Sequence, residues 1–219
     1  MTDYTDITVL LDRSGSMVSI KAQMEAGYAS FIETHQAVPS TRVTLIQFDG
    51  EHPQQVLYEN HPIVGVPPLV IRPRGSTPLC DALCDAIDGA GVRLARTPEA
   101  ERPARVLFVI ITDGQENSSQ RRKRHDVKTR IDHQRGAYDW QFVYLGANQD
   151  AFREAESFGI DRGHAVNYAA SGFAPQNVMK GMAVNTVAYA QGRSLSVPDF
   201  SDEQRAEAMN ADEETPPLP

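Results

Sequence analysis

The chain alternates between short apolar runs and longer segments in which apolar residues recur every three or four positions. Runs without polar alternation are typical of strands that are buried on both faces of a sheet. The clearest run is residues 105–112, and another, residues 7–11, leads into the polar turn from Asp12 to Ser16. The pattern predicts strands near residues 7–11, 42–48, 54–60, 105–112, 140–145 and 164–168, with helices near residues 20–38, 77–94, 127–131, 150–158 and 174–191.

The order of these elements predicts the fold class. Strands that alternate with helices at this spacing form an α/β fold with a doubly wound, Rossmann-like, mostly parallel sheet and helices on both faces. Only a few residues separate the runs 42–48 and 54–60, which allows a hairpin but not a crossover helix. We therefore expect one antiparallel edge strand.

The C-terminal part divides by composition. After a domain of residues 1–170, residues 171–197 carry an amphipathic helix, which either packs on the domain or binds a partner. Residues 198–219 contain seven acidic residues against one base, Arg205, and end in Pro-Pro-Leu-Pro. This composition predicts a disordered acidic tail, and we expect its removal to leave folding nearly unchanged.

Composition narrows the location and the possible partners. The 219 residues are 41% hydrophobic and 23% charged, which suits one α/β domain with a tail. No apolar run approaches the roughly 20 residues of a membrane span, and Met1 to Tyr4 lack signal-peptide features, so we expect a cytoplasmic protein without a membrane partner. Cys80 and Cys84 lie one helical turn apart and are interpreted as core residues. The net charge of −8 disfavours nucleic acid as a partner.

Candidate chemistry lies where strands end and a helix begins. In the predicted sheet these positions meet in one crevice if the first and the central strand are neighbours where the strand order reverses. The oxygen-bearing side chains there are Asp12, Ser14, Ser16, Thr77 and Asp113. Oxygen ligands suit Mg²⁺ or Mn²⁺, and the lack of His and Cys disfavours zinc. The alternative is structural, since serine and threonine often cap helices and Asp-Gly is a common turn.

These residues lie in short sequences that resemble a known site. Asp-Arg-Ser-Gly-Ser at 12–16, Gly-Ser-Thr at 75–77 and Ile-Thr-Asp-Gly at 111–114 resemble the metal-ion-dependent adhesion site (MIDAS) of von Willebrand factor A (vWA) domains. The resemblance covers about residues 5–168. It is strongest to stand-alone bacterial and phage members, through residues 12–17 and Leu-Gly-Ala-Asn-Gln-Asp at 145–150.

The resemblance implies a role for each of the five residues. Ser14 and Ser16 would bind the cation directly, and Thr77 would bind it directly or through water. Asp12 and Asp113 would act mainly through waters and by orienting the hydroxyl groups. We expect Asp12 to lie at the exposed end of its strand, so that its removal leaves no cavity in the core.

The leading hypothesis for function is a metal-dependent protein-binding module, used for adhesion or as an adaptor, and not an enzyme. A cation held by neutral hydroxyls remains electrophilic and can accept an outside oxygen anion, for which an Asp or Glu of a partner protein is the natural source.

Two alternatives belong to other classes. One is a magnesium-dependent hydrolase or phosphoryl-transfer enzyme with Asp12 as nucleophile. Haloacid-dehalogenase-like phosphatases place a second acid two residues later, where this chain has Ser14. The other is a nucleic-acid contact through the basic run of residues 121–130, which lacks interleaved aromatic residues. We predict no catalytic residue and no organic cofactor.

Overall fold

Strand β1 lies at the centre of a six-stranded sheet in the computed structural model, which describes residues 2–147 and 151–212. The strands are β1 (Thr2–Asp12), β2 (Thr41–Phe48), β3 (Gln55–Pro62), β4 (Pro103–Thr112), β5 (Gln141–Ala147) and β6 (Ala165–Tyr168). The helices are α1 (Lys21–His35), α2 (Leu79–Arg96), α3 (Arg124–Tyr138), α4 (Ala151–Ser157), α5 (Ala174–Ala190) and α6 (Asp202–Met209). Part of the predicted 145–150 motif, residues 148–150, lies outside the described residues.

The strand order confirms the predicted fold class. The sheet runs β3-β2-β1-β4-β5-β6, and every neighbouring pair is parallel except β2 and β3. The chain winds outward in one direction through β2 and β3 and in the other through β4, β5 and β6. The order therefore reverses between β1 and β4, where Leu11 lies opposite Ile111. Their carboxyl ends lie side by side, as the predicted crevice requires.

The core is divided by the sheet into two hydrophobic clusters. Val9 and Leu11 of β1 belong to the cluster beneath α1 and α5, whereas Leu10 belongs to the cluster beneath α2 and α3. Both faces of β1 are thus buried, which explains its apolar run without alternation. Within the described residues, no helix combines the length and the hydrophobicity that crossing a membrane requires.

The prediction of disorder from residue 198 is wrong for residues 198–212. Ser201 caps α6, because its hydroxyl accepts from the Gln204 amide at 3.2 Å while the Gln204 side chain accepts from the Ser201 amide at 2.9 Å. Phe200 and Ala208 are 5% and 0% exposed and belong to the core cluster of α1 and α5. The acids of this segment face solvent, so composition concealed a packed helix. Residues 213–219 lie outside the described residues.

Helix α5 packs closely on α1 at Gly27. A Cβ atom at this position would lie 2.9 Å from Cγ of Met179 and 3.1 Å from the backbone Cα of Gln176. The second contact cannot be relieved by a side-chain rotation, so the helices would have to separate. We expect Gly27→Ala to lower the free energy of unfolding by about 1–3 kcal/mol, despite the better helix propensity of alanine.

Gly136 of α3 provides the matched control. It is exposed, and a Cβ atom there would meet nothing within 4 Å. Gly136→Ala should raise the free energy of unfolding by about 0.5–1 kcal/mol. Urea denaturation of both variants measures the comparison, and equal effects at the two positions would contradict the close packing of α1 on α5.

His35 makes the α1–α5 interface sensitive to acid. The ring is fully buried, with Nδ1 2.9 Å from the Phe31 carbonyl oxygen and Nε2 3.2 Å from the Thr186 hydroxyl. Burial lowers the pKa of His35 from the ordinary 6.5 to about 4. Below pH 6.5, His35 becomes protonated in the unfolded chain but stays neutral in the folded chain. The free energy of unfolding therefore falls as the pH falls towards 4.

We expect the wild type to lose about 2 kcal/mol of unfolding free energy through His35 between pH 7.5 and pH 5. Urea midpoints at the two pH values measure this loss, and His35→Gln should reduce the pH dependence. The control His125→Gln replaces a side chain that is 75% exposed and should leave the pH dependence unchanged. The same loss in His35→Gln as in the wild type would contradict this role.

Candidate metal centre

Asp12 anchors the polar turn that follows β1. Its Oδ1 accepts from the Ser14 amide at 2.7 Å, and its Oδ2 accepts from the Thr112 hydroxyl at 2.6 Å. Because β1 and β4 are in register, Thr112 is held directly beside it. Asp12 is 0% exposed, so the expectation that it lies at an exposed strand end is wrong.

Ser14, Ser16 and Asp113 form a chain of side chains across the ends of β1 and β4. The Ser14 and Ser16 hydroxyl oxygens are 3.1 Å apart, and the Ser16 hydroxyl donates to Oδ1 of Asp113 at 2.7 Å. A 3₁₀ turn, Gly15–Ser19, follows Ser14 and turns the second serine back towards β4. The Ser16 hydroxyl is therefore held by Asp113, and Ser14 lies within reach of Ser16.

Thr77 reaches the same place from the start of α2. The Gly15 amide donates to the Gly75 carbonyl at 3.1 Å, which holds the segment before α2 against the turn. Gly75 has a φ of 66°, a conformation that glycine adopts without strain. The Thr77 amide donates to Oδ1 of Asn117 at 3.0 Å, which fixes this end of the helix against the loop after β4.

Distances measured from Gly114 show how closely the oxygen atoms of the cluster converge. A Cβ atom built on Gly114 would lie 3.2 Å from the Thr77 hydroxyl, 3.7 Å from the Ser16 hydroxyl and 4.0 Å from Oδ2 of Asp12. Oxygens from three separate segments thus lie within 4.0 Å of one position beside Gly114. The structure therefore brings together all five residues of the predicted site.

The carboxyl groups of this cluster are poorly solvated. Burial raises the pKa of Asp12 to about 7, although hydrogen bonds from Thr112 and Ser14 oppose the shift and the nearby Asp113 adds to it. Burial also raises the pKa of Asp113, against the hydrogen bond from Ser16. Two buried carboxylates side by side disfavour a double negative charge, which a bound cation would compensate.

The donor set fits a hard cation rather than a zinc site of the usual kind. Within residues 2–147 and 151–212, no group of three or more His, Cys, Asp or Glu side chains is arranged to hold a metal. The cluster instead has two carboxylates and three hydroxyls. Such neutral and anionic oxygen ligands suit Mg²⁺ or Mn²⁺, provided that several waters complete the coordination.

Arg13 braces the turn from behind and was not predicted. It is 5% exposed, and its Nε lies 2.5 Å from Oδ2 of Asp49, to which Arg74 also donates at 3.1 Å. Burial alone would raise the pKa of Asp49, but hydrogen bonds from His52 and Arg13 outweigh it and hold that pKa below its usual value. The only feature of the sequence that pointed to this ion pair was an acid directly after strand β2.

The basic run of residues 121–130 is largely paired with acids of the same fold, on α2, α3 and α4. These ion pairs are Arg121 with Asp85, Arg124 with Glu154, Lys128 with Asp132 and Arg130 with Asp88. Four of the six basic side chains are thus partly neutralised by the domain itself. This arrangement leaves a weaker positive surface than the sequence indicated, and it disfavours a nucleic-acid contact.

Comparison with solved structures identifies the fold. Proximal thread matrix protein 1 from the mussel byssus superimposes with a TM-score of 0.62 at 15% identity, over 84% of this chain and 48% of that one. A von Willebrand factor type A protein from Catenulispora acidiphila gives a TM-score of 0.56 at 15% identity, over 84% and 43%. The chain has a vWA fold.

A pilus adhesin, SpaC from Lactobacillus rhamnosus GG, shares the vWA fold with a TM-score of 0.62 at 12% identity, over 86% of this chain and 31% of that one. This chain spans less than half the length of these three structures. One structure of the mussel protein has a zinc-occupied MIDAS motif. No protein-family model matches the sequence, and no curated protein matches it either.

Proposed function

We propose that the protein is a metal-dependent protein-binding module, in which a divalent cation at the carboxyl ends of β1 and β4 binds an acidic side chain of a partner. The observation that carries the proposal is the convergence of Thr77, Ser16 and Asp12 oxygens around one point beside Gly114. A helix cap or a turn alone does not require three segments to present oxygens to the same point.

Each side chain has a role in this proposal that agrees with its surroundings. Ser14 and Ser16 would bind the cation directly, and Thr77 would bind it directly or through water. Asp12 and Asp113 already accept hydrogen bonds from Ser14, Thr112 and Ser16, so they would mainly orient the hydroxyls and balance the charge.

The cation would supply an electrophilic position for an outside oxygen anion. With two carboxylates and neutral hydroxyls around it, a divalent cation is not surrounded by excess negative charge, so an Asp or Glu of a partner is an acceptable further ligand. Structures with this fold include an adhesin and a matrix protein, which supports a binding role over an enzymatic one.

The metal itself is the testable part of the proposal. Calorimetric titration should give one site for Mg²⁺ or Mn²⁺ per chain, and Ser14→Ala/Ser16→Ala should abolish it because both hydroxyl ligands are removed. Ser19→Ala is the control, since the Ser19 hydroxyl donates to the Ser16 carbonyl outside the cluster. Zinc belongs in the same series, because a MIDAS of this fold holds it in the mussel protein. Cation binding that survives the double change would contradict the site.

A further inference from the structure

A pocket lies beside the start of α2, close to the candidate metal ligand Thr77. Its volume is about 360 Å³, and it is lined by Cys80, Glu116 and Ser119 and by the basic residues Arg122, Lys123, Arg124 and His125. Cys80 follows Thr77 by three residues at the start of α2, and Asn117, which holds the Thr77 amide, is adjacent to Glu116. One helical turn rises about 5.4 Å, so a ligand at the metal centre would lie close to this pocket.

The acidic residue of this pocket, Glu116, is held in place by hydrogen bonds within the domain. The Glu116 carboxylate accepts from the Cys80 amide at 2.7 Å and from the Ser119 hydroxyl at 2.6 Å. It also accepts from the amides of Ser118 and Ser119 at 3.0 and 2.8 Å. Four donors hold this carboxylate in place beside Arg124, which also lines the pocket.

Two basic side chains of the pocket form no ion pair with the described residues. Among the residues that the structure describes, neither Arg122 nor Lys123 has an acidic group within ion-pair distance, unlike the neighbouring Arg121 and Arg124. The Nε atom of Arg122 is buried and has no hydrogen-bond partner within the part of the chain that the structure describes. A basic pair of this kind is available to bind an anionic ligand.

We propose that this pocket binds a second acidic side chain of the same partner whose first acid binds the cation, an inference that rests on the proposed function. Arg122 and Lys123 would then select partners with two acids on one segment. An extended segment rises about 3.3 Å per residue, so acids two or three residues apart would reach both positions. A polyanion such as nucleic acid fits less well, because the rest of the basic run is paired with acids and the net charge is −8.

Synthetic peptides test the proposal on the full chain. One labelled peptide carries a single Asp in a neutral background, and two others carry a second Asp two or three residues later. Anisotropy is measured in Mg²⁺ at constant ionic strength. We expect the better of the two-acid peptides to bind about three- to fivefold tighter, the range for one additional, partly screened ion pair. Arg122→Gln/Lys123→Gln should remove this advantage and leave the binding of the one-acid peptide unchanged.

Arg121→Gln/Lys128→Gln is the matched control, since it removes the same charge from the same run but outside the pocket. It should preserve the advantage of the two-acid peptide. Equal affinities of all three peptides for the wild type, or an equal loss in both double variants, would overturn the proposal. So would a single-stranded oligonucleotide that binds more tightly than the two-acid peptide and depends on Arg122 and Lys123.

Repeating the titrations in chelator separates a failure of the proposed function from a failure of the inference about the pocket. If the one-acid peptide binds equally with and without Mg²⁺, the proposed function is wrong. If its binding depends on Mg²⁺ but the second acid adds nothing, only the inference about the pocket is wrong. Thermal melts of both double variants exclude unfolding as a cause of lost binding.

Discussion

A chain that ends at Val197 should unfold far more readily than the chain that continues through α6. We expect the free energy of unfolding to fall by about 4 kcal/mol or more, because loss of a buried phenylalanine side chain alone costs about 3–5 kcal/mol. Phe200 is 5% exposed and contacts the cluster beneath α1 and α5. Urea denaturation of the two chains measures the difference.

The truncation would also leave backbone groups of the domain without partners. The Ala169 amide donates to the Ala208 carbonyl, and the Phe173 amide donates to the Ala211 carbonyl, each at 3.0 Å. The Arg205 guanidinium donates to the Ala165 carbonyl at 2.6 Å. These bonds tie the segment to the region between β6 and α5, so its loss should affect the edge of the sheet as well as the core.

Point variants distinguish packing from a general effect of shortening. Phe200→Ala should lower the free energy of unfolding by about 3 kcal/mol, whereas Met209→Ala, on a side chain that is 50% exposed, should change it by less than about 0.5 kcal/mol. A separate truncation after Asp212 tests the prediction that residues 213–219 are dispensable. An unchanged melting temperature after truncation at Val197 would mean that the segment is not part of the fold.

The fold could be predicted from the sequence because its central strands are buried on both faces. Apolar runs such as residues 7–11 and 105–112 indicate parallel strands directly, and the short link between β2 and β3 excludes a crossover. The sequence left open whether β1 and β4 are neighbours, and the structure places them side by side. Under that condition, Asp12, Ser14, Ser16, Thr77 and Asp113 were expected to meet in one crevice, and their metal-binding role stays a prediction.

Helix α6 was missed because composition was given more weight than local pattern. Ser201-Asp202-Glu203-Gln204 has the capping-box pattern of a helix start, and acids in the first turn stabilise a helix through its dipole. The seven acids of the tail concealed this signal. The two apolar residues that hold the helix, Phe200 and Ala208, are too few to stand out in the sequence.

The burial of Asp12 could not be predicted, because it depends on contacts between distant segments. The turn after β1 is covered by the segment before α2, through the bond from Gly15 to Gly75 and that from the Arg74 amide to the Arg13 carbonyl. Thr112, which donates to Asp12, is separated from it by 100 residues. A pattern within one strand contains no information about such contacts.

Asp12→Asn should remove the stabilisation by Mg²⁺ while leaving the metal-free fold at least as stable as the wild type. Asparagine has nearly the same shape, and its Oδ1 can accept from the Ser14 amide as the carboxylate does. Its Nδ2 would face the Thr112 hydroxyl, which also lies 3.0 Å from the Gly114 carbonyl oxygen. The hydroxyl can donate there and accept from Nδ2, so no buried group loses its partner.

Removing the negative charge of Asp12 should also reduce electrostatic repulsion in the metal-free protein. Asp12 and Asp113 are buried acids that disfavour each other's charge, and an amide at position 12 ends that repulsion. In the wild type, Mg²⁺ at a hundredfold excess over its Kd should raise the unfolding free energy by about 2.7 kcal/mol, since it binds only the folded state. The Asp12→Asn variant should gain far less unfolding free energy from the same concentration of Mg²⁺. Asp3→Asn, at the other end of β1 and 86% exposed, is the control and should respond to Mg²⁺ like the wild type.

Capture of partners from a lysate, in Mg²⁺ or in chelator, links the cation to function. Asp12→Asn should lose the proteins that the wild type and Asp3→Asn retain only in Mg²⁺. If the variant instead unfolds without metal, Asp12 holds the turn through Ser14 and Thr112 and its role is structural. If the variant is stable and still retains the same proteins in Mg²⁺, binding of the cation does not require Asp12. Because the metal-free melt and the capture report on different properties, a folded variant that binds neither cation nor partner is the result expected of a functional carboxylate.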